Sequence, residues 1–202
     1  MVREGVMLVV LVSLLVVFGW LNRASDTSTL TIHSPGLSDA TSALPAAPLD
    51  HSLLEQSLAA MPNKAALNSR GTIYVPAYSA IRVGTGKGKF LELAVTLSLQ
   101  NTSNHKPLVL EQLNYHDTSG RLVWSYLEKP VALKPFGTIE IFIPHNDLRG
   151  GTGANFIVKW AAEAPIEEPL AEVMMVGTYG SAGFSFVTQG RRIEAKQARA
   201  IP

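Results

Sequence analysis

The sequence contains no cysteine, and its charges of opposite sign are almost equal in number. The absence of cysteine excludes disulfide bonds, thiolate catalysis, cysteine-ligated zinc and a lipid anchor on cysteine. Without residues 1–24, the chain has 15 basic and 15 acidic residues. That balance provides no basic surface for nucleic acid and no polybasic patch for lipid headgroups. Stability must therefore come from a hydrophobic core.

The sequence also lacks the common motifs of hydrolases and nucleotide-binding proteins. It has no G-x-S-x-G motif, which positions the nucleophilic serine of many hydrolases. The glycine-rich stretch 84–89 is not a phosphate-binding loop, because Phe90 follows where that motif requires serine or threonine. We interpret this stretch as a loop between strands. We expect no cofactor, no metal and no enzymatic activity.

The N-terminal segment is the clearest functional feature of the chain. Residues 5–21 are uncharged and follow Arg3, so the positive-inside rule places the N-terminus in the cytoplasm. Ala24 and Ser25 make a poor cleavage site, because Asn22 and Arg23 precede them where small neutral residues are usual. We therefore predict a signal anchor over residues 1–24 that inserts in the cell membrane through 5–21. The following domain then lies on the periplasmic or lumenal side. The alternative is secretion after cleavage.

Residues 25–71 have the composition of a disordered linker, rich in serine, threonine, alanine and proline. One exception is a short amphipathic helix predicted near 52–61. Ser52 and Glu55 fit a capping box, and Leu54, Leu58 and Met61 recur at helical spacing. Residues 193–202 are predicted to be a polar tail.

From residue 72 the apolar residues recur with a period of two. The clearest run places apolar side chains at every second position from Leu91 to Leu99. About eight short runs of this kind are separated by turn residues, without a long helical pattern between them. This pattern predicts an all-β domain over 72–192, an antiparallel β-sandwich of the immunoglobulin type. Trp124 and Trp160 are predicted to be core residues.

Several segments of this domain resemble a known family. They are YVPAYS at 74–79, LAVTLSLQNT at 93–102, SYLEKP at 125–130, GGTGANFIVKW at 150–160 and GFSFV at 183–187. In this order they are similar to the bacterial domain-of-unknown-function 3124 family over residues 72–192. The resemblance implies an exported, membrane-associated bacterial protein. It implies no activity, so no catalytic residue is transferred from it.

A polar, glycine-rich loop at residues 145–155 is the best candidate for a binding site. Glycines allow the backbone to approach a ligand, and loops on rigid sheets often carry binding groups. The candidate ligand- or partner-binding residues are His145, Asp147, Arg149 and Asn155 in this loop, with His116 and Glu128 outside it. The same glycines also fit a structural loop whose turns need positive φ.

Two functions are compatible with these observations. The first is a non-enzymatic interaction module, tethered outside the membrane, that contacts an envelope protein or glycan through its sheet edges or the 150–155 loop. The alternative is a small-molecule or glycan-binding or hydrolytic domain that uses the 145–155 loop together with His116 or Glu128.

Overall fold

The structure is a computed structural model and describes residues 51–193. The predicted anchor, the linker up to residue 50 and the tail beyond residue 193 lie outside the described residues. Within residues 51–193, no helix combines the length and the apolar character needed to cross a bilayer. The one α-helix of this part, α1, covers His51–Ser57, so it ends before Leu58 and Met61 of the predicted helix.

Thirteen strands make up most of the described chain. They are β1 Leu58–Ala59, β2 Ser69–Ala77, β3 Ala80–Val83, β4 Lys89–Glu92, β5 Ala94–Gln100, β6 Leu108–His116, β7 Leu122–Ser125, β8 Val131–Leu133, β9 Thr138–Ile143, β10 Ala154–Ala162, β11 Leu170–Tyr179, β12 Ala182–Gln189 and β13 Arg191–Arg192. Two 3₁₀ turns, Lys64–Ala66 and Gly151–Gly153, complete the described elements.

The strands form a seven-stranded sheet, a four-stranded sheet and a hairpin. The order of the first is β1-β8-β6-β10-β2-β13, with β7 also paired to β6, and that of the second is β12-β11-β5-β9. The hairpin joins β3 to β4, and the glycine-rich stretch 84–89 connects them as predicted. All of the described pairings are antiparallel. The prediction of an all-β, antiparallel domain is confirmed.

The alternating pattern of the sequence corresponds to alternating burial. Along β5, Val95, Leu97 and Leu99 are fully buried, while the residues between them are partly exposed. Most buried side chains of both larger sheets belong to one hydrophobic cluster between them, and a small second cluster lies on the outward face of the seven-stranded sheet. Trp160, the largest of these side chains, is buried in the core as predicted. Burial of this apolar area is the main stabilising term of the domain.

The prediction for Trp124 is wrong, because its side chain is 44% exposed. Trp124 lies on β7, a strand of four residues whose one recorded pairing is with β6. A short strand at a sheet edge has no neighbour on its other side to cover a large ring. The alternation in the sequence predicts which face of the strand a side chain lies on, but it does not predict whether other residues cover that face.

The chain passes from the four-stranded to the seven-stranded sheet at Gly190. Its N–H donates to the Ala171 carbonyl at 2.7 Å, and a Cβ at this position would lie 2.6 Å from Ile73 Cγ2. A side chain would therefore push the two sheets apart. The crossing leaves β12 paired with β11, and β13 paired with β2.

Candidate functional site

The predicted loop contains a buried ion pair. Asp147 ends a turn in which its N–H donates to the Pro144 carbonyl, and Arg149 follows two residues later. Arg149 Nε donates to Asp147 Oδ1 at 2.8 Å and Nη2 donates to Oδ2 at 2.5 Å. The Asp147 side chain is 4% exposed and that of Arg149 is 18% exposed. The hydrogen bonds to Asp147 raise the pKa of Arg149, and the two side chains hold each other in place.

Two tyrosines lie in the electrostatic environment of this ion pair. The hydroxyl groups of Tyr115 and Ser79 are hydrogen-bonded at 2.7 Å. Burial raises the pKa of Tyr115 to about 12, and burial also raises the pKa of Tyr126. A Cβ on Gly150 would overlap the Tyr115 hydroxyl group. Glycine is therefore required here by the close approach of the loop to the core, and not by a ligand.

The backbone of the loop is fixed by neighbouring turns. Ser79 N–H donates to the Gly151 carbonyl at 2.9 Å, and Thr118 donates to the Gly150 carbonyl from both its N–H and its hydroxyl, at 3.0 Å each. The Gly153 N–H donates to Thr118 Oγ1 at 2.9 Å. These bonds tie three connections together at one end of the sheets. The loop therefore has a structural role, which was the second interpretation of its glycines.

Asp117 stabilises the turn between β6 and β7. Its Oδ1 accepts from the Ser119 N–H and hydroxyl and from the Arg121 N–H, and its Oδ2 accepts from Arg121 Nε at 3.0 Å. Burial raises the pKa of this carboxyl group, but the hydrogen bonds from Ser119 and Arg121 outweigh it and the pKa of Asp117 is lowered. This carboxylate is also engaged in structure.

The six candidate residues do not form one pocket of charged groups. Asp147 and Arg149 bind each other, and Asn155 lies directly opposite His116 in the pairing of β10 with β6. His145 and Glu128 are exposed, and within residues 51–193 their side chains form neither a hydrogen bond nor an ion pair. The same stretch contains no group of three histidine, aspartate or glutamate residues placed to hold a metal ion.

The pair of His116 and Asn155 is part of a polar row that the sequence analysis missed. Leu113 and Tyr115 of β6 point into the core, so Gln112, Asn114 and His116 lie on the opposite face of the sheet. Two buried atoms on this row, Asn114 Oδ1 and His116 Nδ1, have no hydrogen-bond partner within the described chain. The alternation of amide and imidazole residues with apolar ones in QLNYH was the available signal.

The outward face of the four-stranded sheet is unusually apolar. Val187 of β12 lies beside Met174 of β11, which lies beside Thr96 of β5, which lies beside Phe142 of β9. Val187, Met174 and Phe142 are each about half exposed, as is Val176 two residues along β11. We call Phe142, Met174, Val176 and Val187 the apolar band. Met174 alternates with the buried Val173 and Met175, so apolar residues on both faces of β11 were the signal in the sequence.

The structure is an antiparallel all-β domain. The loop residues Asp117, Asp147 and Arg149 form hydrogen bonds within the domain, and the apolar band is exposed. Residues 70–193 match the family described as a protein of unknown function, DUF3124, and the chain belongs to this family. The resemblance noted in the sequence is thereby confirmed. No curated protein sequence matches the chain. A Thermotoga maritima protein of known crystal structure, designated 1070, aligns with 62% of this chain and 96% of its own, with 9% identity and a TM-score of 0.36.

Proposed function

We propose that this protein is a non-enzymatic interaction module that binds another protein through the apolar band. The observation that carries the proposal is the exposure of four large apolar side chains on one sheet face, where Thr96 lies between Met174 and Phe142. Val187 is 56% exposed and Met174 is 46% exposed. A contiguous apolar patch of this kind on a soluble domain marks an interaction site, whereas single exposed apolar residues do not.

The charges on this face indicate the chemistry of the partner. Its charged residues along β5, β9, β11 and β12 are Glu140 and Glu172, and both lie on the same row beside the apolar band. Ser98 separates them, and Gln189 donates to Glu172 at 3.0 Å. A complementary surface is apolar at its centre and carries lysine or arginine at one side. We therefore infer a protein partner with a basic rim.

The loop chemistry supports a binding role over a catalytic one. A general base or nucleophile needs a side chain that is available to a substrate. Asp147 and Asp117 are instead buried and hydrogen-bonded to Arg149 and Arg121, which fixes the loops. The alternative function, a hydrolytic site in the 145–155 loop, requires these groups to be released from the structure that they hold.

We further propose that the domain is an immunoglobulin-like β-sandwich. Its support is the shared core of the two larger sheets, together with the pairings of β5 with β9 and of β6 with β10. These correspond to the B–E and C–F pairs of that fold. The outer strands depart from it, since the early strand β2 pairs with β10 and the late strand β11 pairs with β5.

The proposed location is the extracytoplasmic side of the bacterial membrane, with residues 1–24 as the anchor and secretion after cleavage as the alternative. The uncharged run 5–21 after Arg3 supports it. The part of the linker that precedes α1, residues 25–50, has a root-mean-square reach of about 30 Å if it is flexible. The apolar band would thus reach partners at the membrane surface.

The experiment compares in-cell cross-linking of the full-length wild-type protein with that of its Met174→Lys and Met61→Lys variants. Lysine at 174 places a cation in the apolar centre of the contact, close to the basic rim of the partner, so the principal cross-linked partner should be lost. Met61 is also about half exposed but follows β1, an edge strand of the seven-stranded sheet, so Met61→Lys should retain the partner. Raising the salt concentration should weaken the wild-type contact. A partner that survives Met174→Lys, or one without a basic surface, would contradict the proposal.

A further inference from the structure

The outward face of the seven-stranded sheet is covered at one end and open at the other. Leu67 packs on Val109, Ala132 and Ala161, which lie on neighbouring strands. Farther along β6, the outward positions are taken by Gln112, Asn114 and His116. This polar row lies beyond the apolar cover and on the sheet opposite to the apolar band.

Two atoms of the polar row are buried without a partner. Asn114 is 8% exposed, and neither its Oδ1 nor His116 Nδ1 has a hydrogen-bond partner within residues 51–193. Asn155 lies opposite His116, and Ile157 lies opposite Asn114. Buried polar groups in folded proteins are nearly always hydrogen-bonded, because an unpaired group lowers stability. An unpaired amide and imidazole side by side therefore require an explanation.

A second buried asparagine shows what this chain does when the role is structural. Asn101 is 1% exposed, and its Nδ2 donates to the carbonyl groups of Lys106, Leu133 and Lys134. Its Oδ1 accepts from the Ser103 N–H at 3.0 Å. Every polar atom of that amide is used. The two asparagines are buried to nearly the same degree, but the side-chain oxygen of Asn114 has no hydrogen-bond partner in the described chain.

We propose that Asn114, His116 and Asn155 form a binding site for an acidic saccharide. A sugar hydroxyl group both donates and accepts, so one hydroxyl group can donate to Asn114 Oδ1 while others bond to His116 and Asn155. Asn114 Oδ1 is closed to solvent, so a hydroxyl group reaches it only when the half-buried side chains of His116 and Asn155 move aside. The half-buried side chains of His116, Asn155 and Ile157 provide the floor on which the ring lies.

The charges of this face select an acidic ligand over a neutral one. Lys159 is exposed and lies two residues from Ile157 on the same face, and Arg191 is exposed at the end of the row that contains Asn114. The outward positions around Asn114 carry no carboxylate; they are 72, 74 and 76 on β2, 155, 157 and 159 on β10 and 112, 114 and 116 on β6. The neighbouring carboxylate, Glu111 at the bulge of β6, is ion-paired with Arg70. Lys159 is the group that binds the carboxylate of the sugar.

The test is isothermal titration of the full-length protein with trigalacturonate and, as a neutral probe, maltotriose. The wild-type protein should bind trigalacturonate, and Asn114→Leu should weaken binding about tenfold, since it removes one ligand hydrogen bond. Lys159→Gln should weaken it to a similar degree. Lys129→Gln removes an exposed cation outside this face and should leave binding unchanged, as should Met174→Lys.

Each alternative result has a definite meaning. Equal binding of maltotriose would overturn the acidic assignment, and no binding of either saccharide would overturn the site. Because Lys159 is exposed, its variant tests the site even if Asn114→Leu disturbs the fold. Met174→Lys separates this inference from the proposed function. This variant should lose the protein partner and still bind the saccharide, because Met174 lies on the other sheet.

Discussion

Two buried asparagines in this domain have nearly equal exposure and opposite surroundings. Asn101 uses its amide to join three carbonyl groups and one N–H of neighbouring loops, whereas Asn114 has an unpaired oxygen. The first arrangement stabilises the fold, and the second reduces its stability. The comparison teaches that burial alone does not identify a structural residue. The pairing of the polar atoms distinguishes the two residues: Asn101 fixes neighbouring loops, and Asn114 belongs to the polar row on an outward sheet face.

The largest expected effect comes from breaking the ion pair in the loop between β9 and β10. Arg149→Met should lower the free energy of unfolding by about 3–5 kcal/mol, because it leaves the Asp147 carboxylate buried without its cation. Chemical denaturation measures this change. The control is Glu168→Gln, which removes an exposed ion pair to Arg192 and should cost less than about 1 kcal/mol. Equal losses in the two variants would contradict the structural role of the Asp147–Arg149 pair.

The asparagine comparison itself can be tested with one substitution at two positions. Asn101→Leu should cost about 2–4 kcal/mol, since it leaves several buried carbonyl groups unpaired. Asn114→Leu removes an atom without a partner and should cost less than about 0.5 kcal/mol, or stabilise the protein. Thermal unfolding of both variants without ligand gives the difference. A large loss at Asn114 would show that its amide is engaged in the fold.

The two buried tyrosines, Tyr115 and Tyr126, make the stability of the domain sensitive to alkali. Burial raises the pKa of Tyr115 to about 12, above the value of about 10 that it has when unfolded. The corresponding stability is complete below pH 10 and is lost as the pH rises through 12, by about 2–3 kcal/mol in all. Urea denaturation between pH 9 and 12 should show a steeper decline for the wild-type protein than for Tyr115→Phe. Tyr179→Phe, at an exposed tyrosine, should change nothing.

A smaller effect is expected from closing the space beside Tyr115. Gly150→Ala should cost about 1–3 kcal/mol, because the new methyl group overlaps the Tyr115 hydroxyl group and approaches Ser79 Oγ. Adding Tyr115→Phe to this variant should recover part of the loss. Gly183→Ala is the control, since a Cβ at that strand position meets no atom within 4 Å. Absence of any rescue would place the strain elsewhere in the loop.

The fold class was predictable because alternation in the sequence directly reports burial. The runs around Leu97 and Val158 form two of the strands that were expected, and the glycine-rich stretch 84–89 is a hairpin loop. Residues 145–153 form a loop between β9 and β10, whereas Asn155 of the predicted loop lies in β10. The pairing of Asp147 with Arg149 depends on a turn geometry that no spacing rule contains. Trp124 and Asn114 show the other limit: alternation gives the face of a strand and says nothing about what covers that face or pairs with it.

The crossing of the chain between the two sheets at Gly190 has a mechanical consequence. β2 is the first long strand after the N-terminal part of the chain, and it pairs with β10 on one side and with β13 on the other. Thr188 of β12 also bonds to the Pro76 carbonyl of β2 at 2.6 Å. A pulling force that enters the domain at β2 is thus shared by two sets of hydrogen bonds and passes through Gly190 to the second sheet. The domain therefore resists peeling from its N-terminal side, and load reaches both of its larger sheets together.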